Sequence, residues 1–335
     1  MLLQITHDTH YRYRPAVETA QHMAYMQPSN HAAQTVLDYT LHINPPPAQR
    51  REMTDVYGNT RSFFSMQTSH EVLSVVAHSL VSTQASEIVH GLMSWEKVRE
   101  LFRYQAGGAF DPASEFVFAS PFVPRQNEFA HYARASFTAG LPLLQGVANL
   151  MQSIHSDFTY ESQSTQINTP ALQALAQRKG VCQDFSHIMI ACLRTLGLPA
   201  RYVSGYLLTQ PAPGEVKLIG SDASHAWVSV YVPDLMNAQG ELQTQRWCDF
   251  DPTNNRWGWH APGQDYVTVA HGRDFGDVSP LRGVIHGGAS HRLTVGVTVS
   301  AFGENTAMAE IAANCPSQSQ SQSQSQSQSQ SQSQG

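Results

Sequence analysis

The chain has 335 residues, an apolar content of 41% and a net charge of −6, so it is long enough for two domains with substantial cores. The acidic balance and the lack of a basic or basic-aromatic run argue against nucleic acid as a partner. No apolar stretch approaches the ~18 residues of a membrane span, no signal-peptide pattern opens the chain, and its four cysteines are widely spaced, so we expect a cytoplasmic protein without membrane association.

Residues 1–84 predict an N-terminal domain that is an antiparallel β-sandwich. Apolar and polar residues alternate there with the period of two that is typical of half-buried strands, most clearly at Leu37, Tyr39, Leu41 and Ile43. A second clear strand is predicted over 71–83, and a turn over 55–59.

Residues 85–300 predict helices followed by strands, which favours the α+β class. Helices are expected to begin near Trp95, to run over 142–156 and to begin again at Thr169 and Pro170 as cap and first helical residue. A terminal strand is predicted over 292–300. Residues 301–335 form a tail, and its Ser-Gln repeat from residue 317 predicts disorder because it offers no apolar surface.

A strongly amphipathic helix follows Cys182. Its buried face is predicted from the helical spacing of Phe185, Ile188, Met189, Cys192, Leu193 and Leu196. Gly197 and Pro199 end it, since glycine accepts the left-handed conformation and proline cannot continue a helix. The N-terminus of a helix stabilises a thiolate, so Cys182 is a candidate nucleophile. Cys192 lies on the apolar stripe and is expected only to pack.

Two later strands bring a histidine and an aspartate into consideration. Residues 224–232 alternate as a half-buried strand, and 245–250 read as the returning strand, which ends at Asp251. Pairing Tyr231 with Gln245 would place His225 directly opposite Asp251. In that arrangement the imidazole accepts a thiol proton while the carboxylate orients the ring.

Four blocks of sequence resemble the transglutaminase-like superfamily of papain-type cysteine enzymes: GVCQDF at 180–185, LGLPARYVSGY at 196–206, HAW at 225–227 and DPT at 251–253. ITHDTHYRY at 5–13, DVYGN at 55–59 and GRDFGDVSPLRG at 272–283 are similar to bacterial members, including their β-rich N-terminal domain. The similarity extends to about residue 299 and is weakest over 84–140.

The resemblance implies a papain-like core, in which a helix that begins with the nucleophilic cysteine packs on an antiparallel sheet. It also implies that Cys182 is the nucleophile, His225 the base and Asp251 the orienting acid. Asp249, which lies on the same side of its strand as Asp251, is the alternative orienting acid.

Several other residues are not expected to take part in the reaction directly. His187 is too close in sequence to Cys182 to be the base and is expected to pack or hydrogen-bond. Asp184 is expected to cap the helix or support the cleft, and Trp227 either shields the reacting pair from water or packs in the core. Cys248 is expected to be structural, and Cys315 an exposed thiol.

The expected function is acyl transfer at peptide or side-chain amides of a protein or peptide substrate, through a thioester on Cys182. The resemblance favours a peptidase or amidase. A crosslinking protein-glutamine γ-glutamyltransferase and a non-catalytic protein-binding module are the alternatives. The sequence has no HExxH and no CxxC motif, so no metal or other cofactor is expected. The oligomeric state stays open.

Overall fold

The computed structural model describes residues 1–302, apart from residues 105, 109, 162, 163, 210–223 and 289. The Ser-Gln repeat and Cys315 therefore lie outside the described residues. The chain divides into two units: the first consists mainly of residues 1–83 and 279–302, and the second mainly of residues 84–205 and 225–278. The combination of helices and antiparallel sheets confirms the α+β class.

The strands are, in chain order, β1 Leu2–Ala24, β2 Gln34–Asn44, β3 Gln49–Thr54, β4 Thr60–Met66, β5 His70–Thr83, β6 Val89–His90, β7 Thr159–Tyr160, β8 Lys179–Gly180, β9 Ala200–Leu207, β10 Ser224–Tyr231, β11 Met236–Asn237, β12 Trp247–Asp251, β13 Arg256–Trp259, β14 Tyr266–Gly272, β15 Leu281–Gly287 and β16 Ser290–Ala301. The helices are α1 Trp95–Leu101, α2 Asn127–Ala133, α3 Leu143–Asp157, α4 Ala171–Gln177, α5 Cys182–Thr195 and α6 Phe275–Val278. Short 3-10 helices span Pro112–Val117 and Arg134–Ser136. No helix in the described part of the chain is long and apolar enough to cross a membrane.

The first unit is organised around β1, a strand of 23 residues. Its first half pairs with β5 and β16 and its second half with β4 and β15, while β2 adds beside β5 and β3 beside β4. Alternate residues of β1, such as Leu3, Ile5 and Tyr11, are buried, as the period of two requires. The strands thus form one connected, curled antiparallel sheet.

The strand predicted over 292–300 is present as β16, but it pairs with β1, with Val299 opposite Ile5. The sequence predicts that this segment belongs with residues 85–300, whereas the structure places it in the sheet of the first unit. Alternation identifies a strand but does not indicate which distant strand it pairs with.

The second unit contains an antiparallel sheet in the order β13-β12-β10-β9-β14 and the helix α5. Helices α2 and α4 pack against α5. The residues of α5 from Asp184 to Arg194 are all buried, so this helix is enclosed on every side. The predicted starts at Trp95 and Cys182 are confirmed, but α4 begins at Ala171 after Pro170 as its N-cap, one residue later than expected.

Helix α5 ends in the way that its sequence predicts. Gly197 has a φ of +82°, a conformation that glycine adopts without a Cβ penalty. The N–H groups of Gly197 and Leu198 donate to the carbonyls of Arg194 and Leu193. This pair of hydrogen bonds is the Schellman motif, which satisfies the last carbonyls of the helix.

The side chain of Arg194 is fully buried at the end of α5 and is held mostly by carbonyl groups. Its guanidinium donates to the carbonyls of Ala200, Phe118 and Arg273 at 2.7–3.1 Å and to the Ser120 hydroxyl at 3.2 Å. One side chain therefore joins α5, the start of β9 and two loops of the second unit.

We expect Arg194→Met to lower the free energy of unfolding by at least about 3 kcal/mol, because several buried carbonyls lose a charged donor at once. Urea denaturation followed by circular dichroism measures the change. Arg103→Met is the matched control: Arg103 is 74% exposed and its ion pair is long at 3.4 Å, so its removal should cost under about 0.5 kcal/mol. Equal stability of the two variants would contradict the structural role of Arg194.

Candidate functional site

Cys182 is the first residue of α5 and is partly exposed, whereas Cys192 and Cys248 are buried. The start of the helix is held by Asp184, whose Oδ2 accepts from the backbone N–H of Val181 at 2.9 Å and from the Thr165 hydroxyl at 2.6 Å. The predicted capping role of Asp184 is thereby confirmed. Cys182 is consequently presented at a fixed point on the surface of the second unit.

Gly180 is required by the same arrangement. A Cβ at this position would lie 2.7 Å from both Cβ and Oδ2 of Asp184, too close for any other residue. The close approach explains why a glycine stands two residues before Cys182. Gly205 is constrained in the same way, since a Cβ there would lie 2.5 Å from the Trp227 ring.

The pairing of β10 with β12 differs from the predicted register. Tyr231 lies opposite Trp247, and Val228 opposite Phe250, which is a shift of two residues from the expected pairing of Tyr231 with Gln245. His225 therefore does not lie directly opposite Asp251. Because the shift is even, both side chains stay on the same face of the sheet, where diagonal neighbours are within reach of each other.

His225 and Asp251 meet across this diagonal. Nε2 of His225 donates to Oδ2 of Asp251 at 2.7 Å, and Cys182 lies close enough to His225 to help raise the pKa of the ring. Since Asp251 occupies Nε2, the other ring nitrogen remains for the sulfur. The structure thus brings the three predicted residues together in the order thiol, imidazole, carboxylate.

Electrostatics favour a protonated ring at His225. Burial by itself lowers the pKa of His225, but the charge and hydrogen bond of Asp251, with a contribution from Cys182, outweigh it and raise the pKa to about 10. Burial raises the pKa of Asp251, but His225, Asn254 and Tyr266 reverse this effect and hold that pKa below its ordinary value. The pair is an imidazolium and a carboxylate over the neutral pH range.

Two residues at this site were missed by the sequence analysis. The Tyr266 hydroxyl and the Asn254 side-chain amide each donate to Oδ2 of Asp251 at 2.7 Å. Tyr266 lies on β14, and Asn254 lies in the turn between β12 and β13. The polar turn after Asp251 could have suggested Asn254, but no local pattern marks Tyr266, because β14 reaches Asp251 only through the tertiary structure.

Asp249, the alternative orienting acid, has a different partner. Its Oδ2 accepts from the Trp227 indole at 2.9 Å. Burial raises the pKa of Asp249 to about 6, although hydrogen bonds and the nearby Arg201 act in the opposite direction. Trp227 is fully buried, with its ring centroid 6.0 Å from that of His225, so it both packs in the core and covers the imidazole.

His187 is a packing residue, as expected. It stacks on Phe122, with centroids 5.5 Å apart, and its Nε2 accepts from the backbone N–H of Phe275 at 3.2 Å. Burial lowers the pKa of His187 to about 3, so the ring stays neutral and can accept. Cys248 is buried and donates to the Gly258 carbonyl at 3.3 Å, in agreement with its structural interpretation.

Tyr160 is an exposed aromatic residue beside the thiol. It lies opposite Gly180 in the parallel pair of β7 and β8, and its ring meets the edge of Phe185. Burial raises the pKa of Tyr160 to about 12, with further contributions from Cys182 and Asp184. The residue is 54% exposed, so it forms part of the surface near Cys182.

Two family models match the chain. The bacterial transglutaminase-like N-terminal region matches residues 3–82, and the transglutaminase-like superfamily matches residues 130–252, which include all three predicted site residues. The chain belongs to the transglutaminase-like superfamily. Membership supports a cysteine-dependent enzyme in the broad sense.

Relatives and a solved structure extend the comparison beyond these segments. An uncharacterized protein of Mycobacterium tuberculosis is 38% identical over 288 residues, which cover 84% of this chain and 87% of the relative. One of Mycobacterium leprae is 26% identical over 301 residues, covering 89% and 98%. The crystal structure of a "Putative Cysteine Protease" from Cytophaga hutchinsonii covers 90% of this chain and 91% of its own, with a TM-score of 0.66 and 21% identity. This structural similarity shows that the two proteins share a fold.

The raised pKa of His225 predicts a pH dependence of stability. Since that pKa rises from 6.5 to about 10 on folding, the protonated ring stabilises the folded state fully below about pH 6.5. This contribution is lost as the pH rises through about 10. We expect the native protein to exceed His225→Gln in free energy of unfolding by more at about pH 6 than at about pH 10, as measured by urea denaturation. A difference that stays constant with pH would contradict the assigned charge state.

Proposed function

We propose that the protein is a cysteine-dependent acyl-transfer enzyme that cleaves peptide or side-chain amides through a thioester on Cys182. One observation carries the proposal: a partly exposed cysteine at the start of α5 lies close enough to the His225 imidazole to affect its pKa, and a buried carboxylate accepts from that imidazole at 2.7 Å. Such a chain of thiol, imidazole and carboxylate is the arrangement that activates a cysteine nucleophile.

In the proposed reaction the thiolate of Cys182 attacks the carbonyl carbon of the amide. The backbone N–H of Cys182, in the first turn of α5, is one donor to the oxyanion that forms. The C–N bond then breaks, and His225 gives its proton to the departing amine while Asp251 keeps the ring oriented. An acceptor attacks the thioester, His225 takes its proton, and the thiolate is restored.

The acceptor decides the class of enzyme. Water produces a carboxylic acid, which makes the protein a peptidase or amidase, and this is the function we propose. A lysine amine would make it a crosslinking transglutaminase by the same sequence of bond changes. In the remaining alternative, a binding module, the hydrogen-bonded cluster would serve structure alone. The substrate in the proposed reaction is a protein or peptide, and no metal or other cofactor takes part.

The proposal predicts a reactive thiol at Cys182. At about pH 6 a free cysteine is almost entirely protonated, so alkylation by iodoacetamide is slow. Because the proposed base, His225, can take the thiol proton during the reaction, we expect alkylation of Cys182 to be at least about tenfold faster than that of glutathione. His225→Ala should remove this advantage. Peptide mapping by mass spectrometry gives the rate at each cysteine.

Cys192 and Cys248 serve as internal controls, because both are buried and should stay unmodified in the folded protein. In Cys182→Ser, fast labelling should disappear altogether. Alkylation of Cys182 at the rate of a free thiol, unchanged by His225→Ala, would contradict the catalytic proposal and support the binding module.

Incubation of the protein with a glutamine-containing peptide and a labelled primary amine separates the two enzymatic outcomes. We expect cleavage or deamidation of the peptide without incorporation of the label, detected by mass spectrometry. Cys182→Ala is the control for contaminating activity. If the main product contains the labelled amine, the proposed hydrolysis is contradicted and the protein is a transamidating enzyme.

We also propose a cytoplasmic location, because the proposed nucleophile must remain a free thiol and reducing compartments maintain free thiols. Fractionation of cells that produce the full chain tests this. Recovery in the exported or membrane fraction would contradict it.

A further inference from the structure

We propose that Tyr266, together with Asn254, positions Asp251 and through it His225, so that the orienting acid of the reaction is a three-residue unit. This inference rests on the proposed function. It concerns two residues that are not among the candidates named from the sequence. Neither is proposed to touch the substrate, and both act through the carboxylate.

The geometry at Asp251 is the basis of the proposal. Three donors converge on its Oδ2: His225 Nε2, the Tyr266 hydroxyl and the Asn254 side-chain amide, each at 2.7 Å. The other oxygen, Oδ1, accepts from the backbone N–H groups of Thr253 at 2.8 Å and Asn254 at 3.3 Å. Asp251 itself is fully buried. Both carboxylate oxygens are thus satisfied by protein groups.

A carboxylate needs such partners if it is to orient a histidine. The terminal torsion of an aspartate side chain is broad, so a single hydrogen bond to His225 would leave the carboxylate plane free to rotate. Donors from β14, from the turn after β12 and from His225 fix this plane from separate directions. Rotation of Asp251 would break several hydrogen bonds in a buried place, where each is costly to lose.

Tyr266 is itself held in place. It is 1% exposed, its ring meets the Trp227 ring edge to face at 5.5 Å, and the guanidinium of Arg256 lies 4.9 Å from its centroid. Arg256 is in turn held by two hydrogen bonds to Asp265, at 2.6 and 2.7 Å. Burial and the nearby carboxylate of Asp251 raise the pKa of Tyr266, so its hydroxyl keeps the proton that it donates.

The donors also lower the proton affinity of Asp251. Three hydrogen bonds to Oδ2 stabilise the negative charge of Asp251. The carboxylate therefore stays ionised to lower pH than it would with His225 as its only donor. The other ionisable groups that act on this network are Arg256, Asp265, Cys182 and Tyr160. Tyr266→Phe leaves all four of these residues in the chain.

The test uses Tyr266→Phe, which keeps the ring packing and removes one donor. We expect alkylation of Cys182 by iodoacetamide to slow about tenfold at neutral pH, because the ring of His225 loses its fixed orientation. The acid limb of the pH profile of this rate should move to higher pH, since a carboxylate with one donor fewer binds a proton more readily. Asn254→Ala, in an exposed turn, should shift the limb in the same direction.

Tyr231→Phe is the matched control. It also removes a hydrogen bond from a tyrosine to an aspartate, the 3.2 Å contact with Asp111, and it lies on the strand that carries His225. Its rate and pH profile should stay within about twofold of the native protein. In an Asp251→Asn background, Tyr266→Phe should have no further effect, because Tyr266 acts through Asp251.

The outcomes separate this inference from the proposed function. If His225→Ala slows alkylation but neither Tyr266→Phe nor Asn254→Ala does, the positioning role is overturned and the proposed function stands. If His225→Ala has no effect, the proposed function itself fails. A Tyr266→Phe effect that persists in the Asp251→Asn background, or equals that of Tyr231→Phe, would show a structural contribution only and overturn the proposal.

Discussion

A buried carboxylate, Asp251, is the constraint on which the second unit depends. A charge without exposure to water is costly, and it is tolerated only where hydrogen bonds and an opposite charge replace the lost solvent. Here the imidazolium of His225 supplies the charge, and two side chains and two backbone N–H groups supply the remaining hydrogen bonds. The strands β10, β12 and β14 must therefore hold fixed positions relative to one another. The same contacts that satisfy Asp251 orient the ring of His225.

Helix α5 delivers the sulfur to this ring and is fixed at both ends. Asp184 holds the first turn through the N–H of Val181, and Arg194 ties the last turn to the carbonyls of β9 and two loops. If Cys182 is the nucleophile that we propose, its place on a rigid helix means that little reorganisation is needed when the reaction begins, which is a general source of catalytic advantage. The enclosure of α5 explains why this region of sequence is both apolar and interrupted by a few polar residues with specific partners.

Other buried polar groups in the second unit follow the same rule. Asp249 accepts from Trp227, and His187 accepts from the backbone of Phe275. Asp249 is the alternative orienting acid, and His187 is of the residue type that can serve as a base. Their partners place them instead in the packing of the core, which leaves Asp251 and His225 for the acid and base roles that we propose. Environment thus separates two aspartates that differ by only two positions on one strand.

Much of the local structure follows from the sequence. The spacing of apolar residues specifies α5, Gly197 specifies its end, and the alternation after Ser224 specifies β10, because these features depend on interactions between residues near in sequence. The three candidate residues could be named for the same reason, with the help of the family resemblance. Even the face of the sheet shared by His225 and Asp251 follows from alternation, since it survives the shift of two in register.

Only the tertiary structure decides what depends on distant partners. The register between β10 and β12, the pairing of β16 with β1, and the arrival of Tyr266 at Asp251 are set by long-range packing, which no local pattern encodes. The alternation of apolar and polar residues in the sequence indicates which residues of a strand face inward and which face outward. Which side chain from another strand they then meet is determined by how the whole sheet assembles.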